Sequence, residues 1–282
     1  MGVYHADALV IRSREYGESD RLLTLFSREH GKIQAVAKGV RKPKSRQRAG
    51  AQLFTYADYL LYKGKTLDTV NQVSSKECFP HLWMDLEKSL AATAMAELLD
   101  LATIPGQSYP ELFTLTFSSF FLLEQFEPAL VQSAYTLKLL AHLGYRPRFV
   151  ECAECGKKVQ GERLLFSPEA GGVVCRECQT QTQGQNPNPS QATIVGRWVR
   201  GGSLALMRQL LQGDFNKLDR IRWNEWMKKE ILDTLQFYCE QTFDKRLKSW
   251  SMGSRLVNVG HDQSGKGDQV HEPSVMDGTG ED

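Results

Sequence analysis

The chain has 282 residues, of which 41% are hydrophobic and 24% charged, a composition typical of a soluble globular protein of two ordinary domains. No basic segment leads into an apolar stretch after Met1, and the most apolar run, residues 112–123, is too short to span a bilayer. These features argue against a secretory signal and a membrane partner, so we expect a cytoplasmic protein. The formal net charge of +2 conceals an asymmetry, because residues 1–80 carry +6 and residues 258–282 carry −5.

The N-terminal part of the chain, residues 1–80, predicts a small β-barrel. Five short apolar or alternating runs, separated by turn residues, lie near residues 8–11, 21–26, 33–37, 52–62 and 66–74. Lys63, Gly64 and Lys65 make a connection of hairpin length between the last two runs. Five short strands in a segment of this size favour a closed barrel, with the OB-fold as the leading candidate.

From His81 onward the apolar residues recur three and four positions apart, as they do on one face of a helix. Helices are predicted over residues 86–101, from Pro110 onward, and over residues 129–143, 202–211 and 223–238. We therefore expect a helical domain in two parts, residues 81–150 and 180–250, with an insert at residues 151–179 between them.

Two polar segments stand apart from these elements. Residues 179–190 are rich in Gln, Asn and Thr without any periodicity, and they predict an irregular loop. Residues 258–282 combine Gly, Ser and acidic residues with almost no apolar content. Such a composition cannot form a core, so this segment predicts a disordered acidic tail.

Four cysteines carry the most specific chemical pattern in the sequence. Cys152 pairs with Cys155 and Cys175 with Cys178 in the spacing C-x2-C-x19-C-x2-C, which falls within the range of four-thiolate zinc sites. Two short apolar runs joined by a turn lie between the pairs and complete the pattern of a zinc ribbon with one structural Zn²⁺. A disulfide-linked pair or a redox-active Cys-x-x-Cys motif is the alternative.

Nothing in the sequence points to catalysis, and we predict that the protein is not an enzyme. A metal held by four thiolates has no open position for the water that hydrolytic zinc sites need. The sequence has no Walker-type phosphate loop, no G-x-S-x-G motif and no H-E-x-x-H motif. The remaining cysteines, Cys78 and Cys239, lie singly in hydrophobic surroundings, and we expect both to be buried and inert.

Six cations lie within eleven positions between the third and fourth predicted strands. We call residues 38–48 the basic segment, and its cations are Lys38, Arg41, Lys42, Lys44, Arg46 and Arg48. Because repeated Lys and Arg with Gly and Pro cannot be buried, we expect an exposed loop whose field suits a phosphate backbone. A solvated surface loop without a ligand is the alternative.

Four aromatic residues follow the basic segment along the chain. They are Phe54, Tyr56, Tyr59 and Tyr62. Their flat rings are candidates for base stacking, as on barrels that bind single strands. The same residue types are ordinary components of strands, so the pattern alone leaves both roles open.

Several blocks of sequence resemble the bacterial recombination mediators of the RecO family. They lie at residues 17–22, 25–33, 35–45, 61–65, 143–147 and 246–249. The block from Ala35 to Ser45 includes the start of the basic segment, and the block from Leu143 to Pro147 leads directly to Cys152. The resemblance extends over residues 1–257 in order and without large gaps, so the acidic tail departs from the family core.

The resemblance implies a multidomain α+β fold with an N-terminal OB-fold β-barrel and a C-terminal α-helical domain that carries an inserted zinc ribbon. RecO proteins bind single- and double-stranded DNA without sequence specificity, anneal complementary strands and interact with RecR. They help load RecA onto strands covered by single-strand-binding protein (SSB) during gap repair in the RecF pathway. In this chain the implied DNA-binding residues are Arg21 and the six cations of the basic segment.

The resemblance also limits the role expected of the metal. Some RecO proteins lack the zinc cysteines, so the metal cannot be required for the activity in general. A different function remains open from the residues themselves, that of a zinc-ribbon adaptor for protein–protein assembly in transcription. In that function the basic segment would be incidental.

Overall fold

The computed structural model of the chain describes residues 2–179 and 194–250. Most of the predicted loop at residues 179–190, and the whole predicted acidic tail at residues 258–282, lie outside the described residues. The described part confirms the predicted fold class. It consists of an N-terminal closed barrel, a helical region and a small sheet that carries the four paired cysteines.

Five strands close the N-terminal barrel in the order β1-β2-β3-β5-β4. Their bounds are β1 (Val3–Tyr16), β2 (Asp20–Ser27), β3 (Gly31–Ala37), β4 (Tyr56–Tyr62) and β5 (Asp68–Glu77). The β3–β5 pair is parallel and the other pairs are antiparallel, an arrangement that resembles an OB-fold. Alternate residues of these strands, among them Val10, Leu25 and Leu61, fill the barrel with a hydrophobic cluster of its own.

Helices follow the barrel and resume after the cysteine-bearing sheet. The described helices are α1 (His81–Met84), α2 (Leu86–Ala102), α3 (Pro110–Gln125), α4 (Pro128–His142), α5 (Gly201–Gln212) and α6 (Glu225–Phe243). Their ends follow local chemistry: the Asp85 side chain caps α2, and Pro110 occupies the first turn of α3 as predicted. Among the described helices, none is long and apolar enough to cross a membrane.

A three-stranded antiparallel sheet in the order β7-β6-β8 accompanies the cysteines. The strands β6 (Arg163–Ser167) and β7 (Gly172–Val174) lie where two short runs were predicted. The strand β8 (Arg197–Arg200) was not predicted, because only Val199 of its four residues is buried and the segment has no apolar alternation. The sheet therefore takes one strand from outside the predicted insert, and the division of the chain into domains stays a prediction.

One wall of the barrel packs directly against the helices. Leu9, Ile11 and Phe26 belong to the same hydrophobic cluster as the buried faces of α2, α3 and α4. Lys32 on β3 is almost fully buried at this contact, and its Nζ lies 3.1 Å from Asp100 Oδ1 at the end of α2. The same Nζ donates to the backbone oxygen of Asp100 at 2.5 Å. Apolar packing and a partly buried ion pair thus hold the barrel on the helical region.

The turn between β2 and β3 also requires a glycine at this contact. Gly31 has a φ of +61°, a conformation that disfavours every side chain. A Cβ at this position would lie 1.7 Å from the backbone oxygen of Gln107, which precedes α3. Both the left-handed backbone and the close approach of the helical region therefore exclude a larger residue.

We expect Asp100→Ala to lower the free energy of unfolding by about 2 kcal/mol. The substitution leaves the Lys32 ammonium nearly buried, with only the backbone oxygen of residue 100 as its acceptor. Urea unfolding of the full chain measures the loss. Asp58→Ala is the matched control, because Asp58 pairs with His5 at the surface, and such pairs contribute less than about 1 kcal/mol. Equal losses in the two variants would contradict the role given to the Lys32–Asp100 pair.

Candidate nucleic-acid interface and metal centre

The basic segment begins on the barrel and is held there by the turn between β1 and β2. The Gly39 amide donates to Asp20 Oδ1 at 2.7 Å, and the Arg41 amide donates to the Ser19 oxygen at 2.9 Å. Val40 between them is buried in the barrel's hydrophobic cluster. The first residues of the segment are therefore fixed, and they are not a free loop.

The other end of the segment is fixed as well. Gln47 Nε2 donates to the Asn71 oxygen of β5 at 2.7 Å. Two residues beyond the segment, Gly50 packs so closely on Val73 of β5 that a Cβ would lie 2.3 Å from that side chain. With both ends attached to the barrel, the cations between them are presented on its surface.

All six cations of the basic segment are exposed. Arg41 is engaged, since its guanidinium lies 3.0 Å from Glu15 Oε1 and donates to the Glu18 oxygen at 3.3 Å. Within the part of the chain that the structure describes, no carboxylate pairs with the other five, which are Lys38, Lys42, Lys44, Arg46 and Arg48. Their positive charge is therefore not cancelled by local ion pairs and remains available to an anion.

Arg21 lies between the two ends of the segment. It is the register partner of Ala37, the last residue of β3 before the segment begins. Its guanidinium donates to Ser13 Oγ at 2.9 Å, and Ser13 Oγ in turn donates to the Ala51 oxygen at 2.8 Å, just beyond the other end. The structure thus brings Arg21 next to the basic segment, and its role in DNA binding stays a prediction.

The structure excludes base stacking for two of the four aromatic residues that the sequence analysis considered. Phe54 and Tyr59 are fully buried, Phe54 against Phe120 of α3 and Tyr59 inside the barrel, where its hydroxyl donates to the Gly50 oxygen at 2.7 Å. Neither ring can receive a base. Tyr56 packs against the aromatic residues of α3, while Tyr62 is 43% exposed and keeps an accessible ring.

The residues that anchor the basic segment were missed in the sequence. Glu15 pairs with Arg41 and Asp20 accepts from the Gly39 amide, and neither residue was singled out by the sequence pattern. Val40 offered a signal, because a single branched apolar residue in a run of cations and turn residues indicates a buried anchor. The partners themselves lie 19 or more residues away along the chain, and their positions depend on the register of the barrel.

The four paired cysteines come together at one point beside the small sheet. The sulfurs of Cys152, Cys155, Cys175 and Cys178 all lie within 4.8 Å of one another. Zinc–sulfur bonds of about 2.3 Å in a tetrahedron would separate the sulfurs by about 3.8 Å, and Cys155 Sγ lies 3.7 Å from Cys175 Sγ. This separation suits two ligands of one metal and is far too long for a disulfide bond of about 2 Å. The donor set and its spacing fit Zn²⁺.

Backbone hydrogen bonds favour the thiolate form of Cys152, the buried sulfur of this cluster. Cys152 Sγ accepts a hydrogen bond from the Cys175 amide at 3.3 Å. Burial by itself raises the pKa of Cys152, but backbone hydrogen bonds from Cys175, Cys155 and Glu154 outweigh burial and lower the pKa to about 6. The thiolate is the form that binds metal, and a cation is what allows four such charges to stay together.

The two remaining cysteines differ from each other. Cys239 on α6 is fully buried, as predicted, and burial raises its pKa. Cys78, at the end of β5, is exposed, so the expectation that it is buried was wrong. The chain leaves the barrel at this point, and the hydrophobic neighbour Phe79 turns inward instead.

Comparison with known families identifies the chain. A family described as Recombination protein O N terminal matches residues 1–79, which contain the barrel and the basic segment. A family described as Recombination protein O C terminal matches residues 84–251, which contain the helices α2 to α6 and the four paired cysteines. The chain belongs to the RecO family. The resemblance found in the sequence is confirmed.

Curated relatives with the name DNA repair protein RecO align along most of the chain. The relative from Desulfitobacterium hafniense is 75% identical over 281 residues and covers 100% of both chains. The relative from Heliobacterium modesticaldum is 40% identical over 256 residues, 89% of each chain. That from Moorella thermoacetica is 33% identical over 266 residues, 94% of this chain and 96% of its own. Membership of the RecO family supports a role in DNA repair and recombination.

We expect Cys175→Ser to release zinc and to lower the thermal unfolding temperature of the protein. Serine is a poor zinc ligand, and loss of one thiolate opens the site that holds both cysteine pairs together. Metal analysis of the purified chain, together with thermal unfolding, measures both effects. Cys78→Ser is the control, because Cys78 is exposed and outside the cluster. Retention of one zinc by Cys175→Ser would contradict the assignment of this residue as a ligand.

Proposed function

We propose that the protein is a DNA repair and recombination mediator of the RecF pathway, which binds single- and double-stranded DNA without sequence specificity and anneals complementary strands. The observation that carries this proposal is the basic segment. Five exposed cations without a carboxylate partner among the described residues are held at both ends on the barrel of a RecO family member. Arg21 and Arg41 extend the same surface.

Annealing by this surface needs no covalent chemistry. Two DNA strands repel each other through their phosphates, and Lys and Arg side chains that neutralise those phosphates let the strands approach. Base pairing then supplies the sequence recognition, so side chains that contact base edges are not required. The protein acts as a binding surface, and catalytic residues play no part in the proposed activity.

The partners of the protein follow from the family. With RecR, the protein helps load RecA onto single strands covered by SSB, and it does so in the cytoplasm, at the nucleoid. Family membership is the support for these partners.

The metal centre has a structural part in this function. Zinc held by Cys152, Cys155, Cys175 and Cys178 would join the two cysteine pairs and order the small sheet beside the helices. Four thiolates leave zinc no open position, so the metal supplies stability to the fold and no reactive group. The DNA-binding surface lies on a different part of the chain, in residues 21–48.

The variant Lys42→Ala, Lys44→Ala, Arg46→Ala tests the proposed surface. These three side chains are exposed and do not anchor the segment, so the fold of the barrel should be kept. We expect affinity for single-stranded DNA at low salt to fall about tenfold or more. The slope of log affinity against log salt should become shallower by about 2, at about 0.7 per phosphate contact. Annealing of complementary oligonucleotides covered by SSB should slow in parallel.

A triple variant of the helical region is the matched control. Arg208→Ala, Lys217→Ala and Arg220→Ala remove the same charge from exposed positions far from the barrel in sequence. This control should bind DNA with a slope close to that of the parent chain. If both triple variants change the slope equally, net charge alone would account for binding. If neither changes it and annealing is absent at low salt, the adaptor function would be favoured.

A further inference from the structure

The two faces of the small sheet have different surroundings. Side chains alternate along a strand, so Phe166 of β6, Val173 of β7 and Val199 of β8 share one face, and all three belong to the main hydrophobic core. Leu165 and its register partner Trp198 therefore belong to the opposite face. On this outer face Leu165 and its other register partner Val174 are buried, so the exposed part of the face consists of Arg163, Trp198 and Arg200.

The outer face combines an exposed indole with two arginines. Trp198 is 55% exposed, although tryptophan is usually among the more buried residues. Arg163 and Arg200 are register partners on the same face, two positions from Leu165 and Trp198, and both are exposed. We call Arg163, Trp198 and Arg200 the ribbon face.

Arg200 is held in place by a second indole and by a carboxylate. Its guanidinium carbon lies 4.3 Å from the centre of the Trp226 ring, and Trp226 is itself 43% exposed. Its Nη1 lies 3.6 Å from Glu230 Oε1, while Glu230 Oε2 accepts a hydrogen bond from Ser203 Oγ. A guanidinium stacked on a ring keeps its planar group in one orientation and still presents N–H groups at its edge.

We propose that the ribbon face is a second contact surface for single-stranded DNA. An exposed indole provides a plane on which a base can stack, and guanidinium groups beside it can contact the phosphates of the same strand. Neither group reads the sequence of the strand. The surface would therefore bind with the same sequence tolerance as the basic segment.

The neighbouring residues favour a nucleic acid over a protein as the ligand of this surface. Trp198 lies opposite the buried Leu165 and beside two exposed arginines, so the accessible part of the face is cationic and complements the phosphates of a nucleic acid. The exposed Trp83 of α1 offers a contrast, because Met84 and Leu86 next to it are exposed as well. No arginine among the described residues stacks on Trp83. A cationic and aromatic face suits a polyanion with flat bases.

The inference rests on the proposed function, since annealing requires the protein to handle two strands. A strand on the basic segment and a strand on the ribbon face would be held by one molecule, and each would be partly neutralised. The cysteine cluster would then support DNA binding indirectly, because it orders the sheet that carries Trp198 and Arg163.

Single-stranded DNA binding by the full chain tests the proposal, with an oligothymidine of about 30 nucleotides, longer than the span of one barrel. We expect Trp198→Ala to weaken binding about tenfold, the effect of losing one stacked base. Trp198→Phe retains an aromatic plane and should stay within about threefold of the parent chain. Trp83→Ala is the matched control, because Trp83 is equally exposed, and it should leave affinity unchanged.

The outcomes separate the ribbon face from the basic segment. Weak binding by Trp198→Ala with near-parent binding by Trp198→Phe and Trp83→Ala would support the proposal. Equal affinity of Trp198→Ala and Trp83→Ala would overturn it, and so would a Trp198→Phe variant as weak as Trp198→Ala, which points to altered folding. Loss of binding in the Lys42, Lys44 and Arg46 triple variant alone would keep the proposed function and overturn this inference.

Discussion

The contact between one wall of the barrel and the helical region determines how the rest of the structure is arranged. Leu9, Ile11 and Phe26 turn their side chains into the helical core, and Lys32 is buried against Asp100. That wall is therefore unavailable to a ligand. The connection between β3 and β4 is held instead by the barrel itself, and it presents its cations at the surface. Packing of the two parts thus decides which side of the small barrel stays exposed.

The basic segment and the cysteine cluster are two separate sites in this structure. The basic segment has its acidic partners at its first residues, where Glu15 and Asp20 fix the backbone and Arg41, and the cations further along face solvent. The cysteine cluster brings four sulfurs from two chain segments together in a geometry that could hold a metal ion. The two sites lie in different parts of the chain, the basic segment on the barrel and the cysteine cluster beside the small sheet.

Much of this fold follows from patterns that are local in the sequence. Alternation in the first 80 residues predicts the barrel, Pro110 marks the start of α3, and the spacing of the cysteines predicts their cluster. Features set by tertiary packing could not be predicted. In the sequence, Phe54 and Tyr59 have the pattern of exposed strand aromatics. In the structure the barrel and the helices bury both side chains. The sequence of β8 contains no strand pattern, so this strand depends on its pairing with the edge of β6.

Amide hydrogen exchange of the full chain, with and without saturating single-stranded DNA, tests the central claim most directly. The claim is that an anchored cationic segment on the barrel carries the contact with DNA. It predicts that exchange slows at residues 38–48 when DNA binds, while α4 (Pro128–His142) in the helical core is unchanged. Unchanged exchange at residues 38–48, with slowing confined to the helical region, would contradict the claim.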